Sequence, residues 1–399
     1  MQPLSDKLLE RIHEPLWRRV FFNWEHALER LFPLGGTSQS NEVHLLIEGD
    51  AIFSAMEEAI HHAQKQVWLE TYFLEPDSIG TRIRNALVQA AHRGCDVILI
   101  FDHLGSPRVS SSFLSPLWAA GGKSFAFNPI WPWRCHGPLL FRDHRKILLI
   151  DNHIGFCGSV NISTDYAGKR LGSNRFRDTV IQIKGPAVQD LSNLFLTSLR
   201  ETSGEDRDTT YEGPIYQKGV LAQVLGSNSR RNLYSIQNSM KVTLKRATQS
   251  CYLTSPYFLP YDNLRKSMLQ AAKRGVDIRV LTAGLSDVPL MRLASQHVYE
   301  QFLKAGIRIY EMFGKTLHAK TATIDGIFGS VGSYNLDHWS ARRNLEVNVS
   351  VIDPKIANEL QDQFIDDLKN AKEVTLQDLE KRSRFTKLLQ WLAYQIMRL

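Results

Sequence analysis

A chain of 399 residues with 43% hydrophobic and 10% aromatic side chains can fill one large domain or, more readily, two of ordinary size, and is globular in composition. The 48 Lys and Arg against 41 Asp and Glu leave a formal charge of +7, which favours an anionic partner: nucleic acid, acidic phospholipid or a phosphorylated small molecule. Four scattered cysteines, Cys95, Cys135, Cys157 and Cys251, include no C-x-x-C pair and no nearby histidine set at zinc-finger spacing, so the expectation is reduced, buried thiols and no metal. No stretch approaches the run of about 20 apolar residues that spans a bilayer. The opening "MQPLSDKLLERIHEPLW" is charged throughout and has no h-region of a signal peptide, so any membrane contact is expected to be peripheral.

In chain order, residues 4–32 place apolar side chains at 8, 9, 12, 16, 17, 20, 21, 24, 27, 28 and 31, a helical stripe that Pro15 breaks or kinks. Arg11, Arg18, Arg19 and Arg30 surround it. A series of segments then appears twice. "LETYFLEPD" (69–77) returns as "LTSPYFLPYD" (253–262), "ALVQAAHRGCDVILIFD" (86–102) as "SMLQAAKRGVDIRVLTA" (267–283), and "LWAAGGKSFAF" (117–127) as "FLKAGIRIYEM" (302–312). Each copy reads as strand, helix, Gly-marked turn, strand, helix, Gly-marked turn, strand, the alternation of α/β units.

The polar stretch "ETSGEDRDTTYEGP" (201–214) has no apolar period and separates the copies. The expected organisation is an amphipathic flank over 1–41, one half over 42–200, a linker over 201–215, a second half over 216–372 and a basic amphipathic helix over 373–399. That last segment, "KRSRFTKLLQWLAYQIMRL", combines Lys381, Arg382, Arg384 and Lys387 with Phe385, Leu388, Leu389, Trp391, Leu392, Ile396 and Met397. Such a helix suits the headgroup layer of an anionic bilayer, or it docks on the protein's own core.

Each half ends in the same grid: "HRKILLID" (144–151) with "GSVN" (158–161), and "HAKTATID" (318–325) with "GSYN" (332–335). Read as a strand, each octet turns its His and Lys to one face, and the next strand brings in the Asn. His144 and His318 supply nucleophile and proton carrier. Lys146 and Lys320 supply fixed positive charge, and Asn161 and Asn335 neutral donors. One grid is half of a phosphodiester-cleaving site. With two, one His attacks phosphorus, the other protonates the leaving alcohol, and the lysines and asparagines hold the non-bridging oxygens. Asp151 and Asp325 fall at strand-to-turn corners, where they hold geometry and take no proton. Two matches at identical offsets within an internal repeat are very hard to attribute to chance.

This paired grid resembles the signature of the phospholipase D superfamily and, within it, the bacterial cardiolipin synthases, over roughly residues 42–372. "RDTVIQIKGPAV" (177–188), "SARRNLEVNV" (340–349), "LQAAKRGVDIRVL" and "PLMRLASQHVY" are similar to cardiolipin synthase segments. The resemblance implies two phospholipase D-like α/β/α sandwich halves packed pseudo-symmetrically around one shared active site. It implies that Asp178 and Glu346 orient the catalytic histidines, each in its own half or in the other, and by analogy that His144 attacks. It implies no cofactor. The family's long form begins with two transmembrane helices, and the amphipathic flanks would stand in for them here.

The loop "PIWPWRCHGPLLF" (129–141) offers Trp131, Trp133, Leu139, Leu140 and Phe141 as an apolar lip for acyl chains, with Arg134 near the headgroup, or folds onto the core. The reading that follows is a phosphatidyltransferase that takes a phosphatidyl group from phosphatidylglycerol and passes it to a second phospholipid. It would work at an anionic membrane surface, peripherally on the cytoplasmic side of the bacterial inner membrane. The alternatives are a hydrolase giving phosphatidic acid, a superfamily nuclease and a non-catalytic lipid-binding protein. The apolar lip and Trp-bearing flanks disfavour nucleic acid as partner, and two intact grids disfavour an inert scaffold.

Overall fold

The computed structural model describes residue 24 and residues 26–130, 140–227 and 234–398. In the first half β1 (Gly36–Leu46) leads through α1 (Gly49–His62) to β2 (Gln66–Thr71), α2 (Ser78–His92), β3 (Asp96–Asp102), α3 (Ser111–Ala119) and β4 (Lys123–Phe127). A two-residue strand β5 (Arg142–Asp143), the hairpin β6 (Ile147–Ile150) and β7 (Ile154–Gly158), a second short strand β8 (Phe176–Arg177), β9 (Val180–Lys184) and α4 (Ala187–Ser203) complete it. The second half follows the same plan with β10 (Val220–Ser227), α5 (Ser235–Arg246), β11 (Ser250–Thr254), α6 (Asp262–Lys273), β12 (Asp277–Ala283), α7 (Pro289–Lys304) and β13 (Arg308–Met312). Then come the short β14 (Thr316–Leu317), the hairpin β15 (Thr321–Ile324) and β16 (Phe328–Gly332), α8 (His338–Arg342), β17 (Asn344–Ile352) and α9 (Pro354–Asp367). The chain closes with β18 (Ala371–Val374), α10 (Leu376–Glu380) and α11 (Arg384–Arg398).

One sheet runs through both halves in the order β18-β13-β12-β11-β15-β16-β17-β10-β1-β9-β7-β6-β2-β3-β4. Its centre is the antiparallel pair β1 and β10, with Gly36 opposite Val224 and a register shift between Ser38 and Asn41. Outward from this seam the strands β9, β7, β6, β2, β3, β4 on one side match β17, β16, β15, β11, β12, β13 on the other. The outer three on each side are parallel, as α/β units require.

Both faces of the sheet are covered, which is why β2 and β3 read as continuous apolar runs. Val67, Leu69, Val97 and Leu99 pack under α1 to α3, whereas Trp68, Ile98 and Ile100 face α4, where Phe195 stacks on Trp68 at 5.1 Å. On the α4 face, Leu191 and Phe195 share one cluster with Val331, Val347, Ile356 and Leu360 of the second half, so this layer binds the halves together. The Gly-marked stops after α2 and α6 have a backbone reason: Gly94 and Gly275 both adopt φ of +90°.

Two boundaries differ from the sequence reading. Gly36–Leu46 is sheet, so the N-terminal flank ends earlier than residue 41. Its described portion is docked, with Trp24, Ala27, Leu28 and Leu31 buried and Trp24 stacked on Phe328. Helix α4 runs to Ser203 and stops on left-handed Gly204, so the linker begins later than residue 201. The remainder of the N-terminal stripe and residues 131–139 of the proposed apolar lip lie outside the described residues. Of the lip, Leu140 is exposed and Phe141 half-buried. Cys95, Cys157 and Cys251 are buried free thiols. No described helix is long and apolar enough to cross a membrane.

Candidate active site

Residues 144–146 and 318–320 lie in unpaired stretches between β5 and β6 and between β14 and β15, and not in a strand as the alternation suggests. The reason is a change of partner. β5 runs parallel to the start of β17, with Asp143 beside Leu345, and β14 runs parallel to β8, with Leu317 beside Arg177. Each short strand therefore belongs to the other half, and the chain leaves it at the His to join its own sheet. The His144 N–H donates to the Leu345 carbonyl at 2.9 Å and the His318 N–H to that of Arg177 at 2.9 Å.

This places each His one residue from a carboxylate of the opposite half. His144 Nδ1 lies 3.1 and 3.0 Å from the two oxygens of Glu346, and His318 Nδ1 lies 2.7 Å from Asp178 Oδ2. The pairs are crossed, which answers the question the sequence leaves open. With Nδ1–H donated to a carboxylate, each ring keeps Nε2 as its reactive nitrogen.

The repeated Gly-Ser-x-Asn tail explains itself at this level. A Cβ on Gly158 would stand 2.6 Å from the Thr179 carbonyl oxygen and one on Gly332 2.3 Å from that of Val347, distances only glycine avoids. Ser159 donates its hydroxyl to Asp178 and Ser333 donates to Glu346, so each serine steadies the carboxylate that faces a His. The sequence reading missed both, although they stand inside the repeated tail. Asn161 gives one amide hydrogen to the Tyr166 hydroxyl at 2.8 Å, and Asn161 and Asn335 are buried beside the grids.

Asp151 and Asp325 hold backbone geometry at the corners where the sequence places them. They stand at the far ends of β6 and β15, where Asp151 adopts φ of +51° and Asp325 +53° in tight hairpin turns. The Asp151 carboxylate accepts backbone N–H groups of Gln64, Lys65 and Gln66 at 2.7 to 2.9 Å, and Asp325 those of Thr248, Gln249 and Ser250 at 2.9 to 3.0 Å. Each clamps a hairpin to the start of the neighbouring strand.

His144, His318 and Asn161 line one cavity of about 670 Å³ with Tyr72, Phe73, Tyr166, Phe176, Tyr257 and Asp287. Tyr72 meets His144 edge-on at 5.0 Å. Tyr166 and Phe176 stack on each other at 4.3 Å and meet His318 edge-on. Lys146 and Lys320 donate to the carbonyls of His144 and His318 at 2.7 and 2.6 Å.

Burial dominates the electrostatics. It pushes His144 down to about 4 against the pull of Glu346, and lowers His318 likewise, with Lys320 adding to the effect. Burial and the facing Lys320 bring Lys146 down to about 7, and burial also lowers Lys320. Burial alone would raise Asp178 and Glu346, but the histidines and lysines hold both below the ordinary carboxylate range. Two lysines face two carboxylates, and burial favours neutral imidazoles in the empty site.

A second layer of charge lies beside His144. The fully buried Arg145 donates to Ser198 Oγ, to the carbonyls of Leu194 and Ser227, and to that of Glu346 at 3.4 Å. Glu70 Oε1 accepts from Ser198 Oγ at 2.6 Å and Asp143 Oδ1 from the Arg145 N–H at 3.1 Å, while Glu70 Oε2 and Asp143 Oδ2 find no other donor. Burial raises both acids; Glu70 raises Asp143 further, whereas Arg145 and the hydrogen bond with Asp143 hold Glu70 down. The matching positions of the second half are Thr254, Leu317 and Ala319, which carry no charge.

Fold and site together define an internally duplicated enzyme with two histidine–carboxylate pairs in one cleft. The fold is shared with a phosphatidylserine synthase from Haemophilus influenzae (TM-score 0.69, 13% identity, 94% of this chain and 97% of that one). It is also shared with a polyphosphate kinase from Porphyromonas gingivalis (TM-score 0.59, 16% identity, 90% and 53%). In sequence, residues 56–197 and 240–368 match the family described as cardiolipin synthase, phospholipase D-like domain, and the chain belongs to that family. It is 31% identical over 354 residues to a cardiolipin synthase of Clostridium perfringens, covering 87% of this chain and 74% of that protein. Over 360 residues it is 31% identical to cardiolipin synthase A of Pseudomonas fluorescens, covering 90% and 74%.

Proposed function

We propose that the chain is a cardiolipin synthase that transfers a phosphatidyl group from phosphatidylglycerol to a second phospholipid through a covalent phosphohistidine. The observation that carries this reading is the pair of crossed histidine–carboxylate contacts opening on a single cavity, in a chain of the cardiolipin synthase family.

The negative charge of a phosphodiester beside the two imidazoles favours protonation of one of them. The result is one neutral and one protonated His, the states that attack and protonation require. Neutral Nε2 attacks phosphorus, forming the N–P bond. The P–O bond to glycerol breaks, and the opposite imidazolium gives glycerol its proton. In the second step that imidazole takes the proton of the incoming hydroxyl, whose oxygen bonds phosphorus as the N–P bond breaks. Glu346 and Asp178 hold the rings and balance the imidazolium, and Lys146 and Lys320 neutralise the non-bridging oxygens with Asn161 and Asn335 beside them. One phosphodiester replaces another, so no nucleotide enters. Asp151 and Asp325 act on the fold.

The lipid substrates place the reaction at an anionic membrane surface, and we assign the chain peripherally to the cytoplasmic side of the bacterial inner membrane. The test is incubation of the purified protein with phosphatidylglycerol vesicles in EDTA, with lipid products resolved by mass. Cardiolipin with released glycerol is the expected result. Phosphatidic acid alone would make water the acceptor and overturn the transferase reading.

A further inference from the structure

The C-terminal helix α11 has three faces, not two. Gln390 and Ala393 are buried, and Tyr394 and Met397 pack partly buried on the second half's core. This first face is fastened to α7: Gln390 Nε2 donates to Gln296 Oε1 at 3.0 Å and the Tyr394 ring lies 4.8 Å from that of His297. The helix is therefore held on the protein and does not need to detach to act.

A second face follows the helical period at 385, 388, 389, 392 and 396: Phe385, Leu388, Leu389, Leu392 and Ile396, all 39 to 67% exposed. Five large apolar side chains in one uncovered row form a patch, unlike singly scattered surface leucines. The third face carries Arg384, Lys387, Trp391 and Arg398, with Lys381 just before the helix. Basic residues and a half-exposed Trp beside an apolar stripe complement anionic headgroups above an acyl layer.

The stripe also has a direction. Arg398, at the helix end, reaches within 4.0 Å of Asp262, the first residue of α6. That end adjoins the segment whose Tyr257 lines the cavity, and Tyr257 donates to Asp287 at 2.8 Å. Leu285, Val288 and Leu290, close in sequence to the cavity-lining Asp287, are exposed.

We propose that the outward stripe of α11 lies on an anionic lipid bilayer and brings the cavity mouth to the headgroup level. The choice of a bilayer over another occupant rests on the phospholipid-transfer reading and on the basic face beside the stripe. The face commits only to lipid: the inner contacts with α7 stay intact on binding, and the stripe exchanges water for acyl chains.

The experiment compares the full chain with the double variant Leu388→Asp, Leu392→Asp, both positions exposed and remote from the histidines. Sedimentation with vesicles of phosphatidylglycerol and of phosphatidylcholine reads the surface, and turnover of monomeric short-chain phosphatidylglycerol reads the chemistry. Expected are tighter binding to the anionic vesicles and a loss of about 100-fold in partition for the variant, with short-chain turnover unchanged. Lys387→Gln should weaken binding to the anionic vesicles roughly fivefold and leave the neutral ones unaffected. Unchanged vesicle binding in the double variant overturns the proposal. So does a dimeric parent chain that the variant renders monomeric, since a second copy then covers the stripe. Vesicle binding without any short-chain turnover would leave the surface standing and remove the transferase reading instead.

Discussion

Glu70 and Asp143 are two buried carboxyl groups near one buried arginine, Arg145, whose guanidinium hydrogen-bonds to Ser198 and to the carbonyls of Leu194 and Ser227. Two ionised acids would leave an unbalanced buried charge, so the pair holds one proton between Glu70 Oε2 and Asp143 Oδ2. Glu70→Gln or Asp143→Asn supplies an amide N–H where that proton stood and keeps one carboxylate for Arg145. At pH 5 each single change should alter stability by no more than about 1 kcal/mol. The double variant leaves Arg145 uncompensated and should lose about 3 to 5 kcal/mol, far from the sum of the singles. Acidity offers an independent check. The acids are raised in the folded chain, which therefore holds more protons than the unfolded one above the ordinary carboxylate value of about 4. Stability falls as pH rises through that window, by about 1.4 kcal/mol per unit for one proton. Either single amide removes the proton and should flatten that slope. Urea denaturation of the four chains from pH 5 to 8 measures both quantities. Singles as damaging as the double, or parallel slopes in all four, would refute the shared proton.

Glu346→Gln and Asp178→Asn should each lower kcat by roughly 100- to 10,000-fold while leaving the fold intact, and His144→Ala or His318→Ala should abolish turnover, all measured on phosphatidylglycerol. Because Lys146 must be charged, and its ammonium is held down to about 7, kcat/KM should fall as pH rises through that value. Because the attacking imidazole must be neutral, kcat/KM should also fall on the acid side near the His144 value of about 4. Lys146→Arg, which stays charged, should remove the alkaline fall in a pH profile of whatever activity it retains. Asp325→Ala strips the acceptor from three backbone N–H groups and puts alanine at φ of +53°. It should cost about 2 to 4 kcal/mol in thermal or urea unfolding while kcat of the folded fraction stays near the parent value.

The strand and helix alternation was legible because each unit carries its own punctuation. The Arg-Gly stops at Gly94 and Gly275 require a left-handed backbone, and the apolar runs at β2 and β3 mark strands buried on both faces. The duplicated grid drew attention to His144 and His318 for the same local reason. The crossing of the pairs was not legible. It depends on β5 and β14, two-residue strands that carry no periodicity and owe their pairing to the other half. Ser159 and Ser333 were hidden because a serine next to a strand-end glycine has many ordinary uses. Glu70 and Asp143 were hidden because 73 positions separate them in the chain and neither carboxylate is repeated in the second half. The C-terminal helix was readable as amphipathic, but a hydropathy period does not separate one apolar stripe that docks from another that remains open.

The crossed pairs also give a physical reason for the fusion of two halves in one chain. A half by itself would present His144 without Glu346, or His318 without Asp178, and a buried imidazole without its carboxylate has neither a fixed tautomer nor a counter-charge when protonated. Two identical halves meeting as a dimer could close both pairs, but every change to one would appear in the other. Within one chain they have diverged. His144 faces both oxygens of a glutamate at 3.0 and 3.1 Å and rests on Arg145 with its buried acids, whereas His318 faces one oxygen of an aspartate at 2.7 Å and packs against Tyr166 and Phe176. In the proposed reaction one imidazole attacks while the other gives up a proton, so equal environments would serve neither role best. The inequality is built from side chains that the two halves do not share, Glu70, Asp143 and Arg145, and under the proposed mechanism these are the positions at which the two histidines would be assigned different roles.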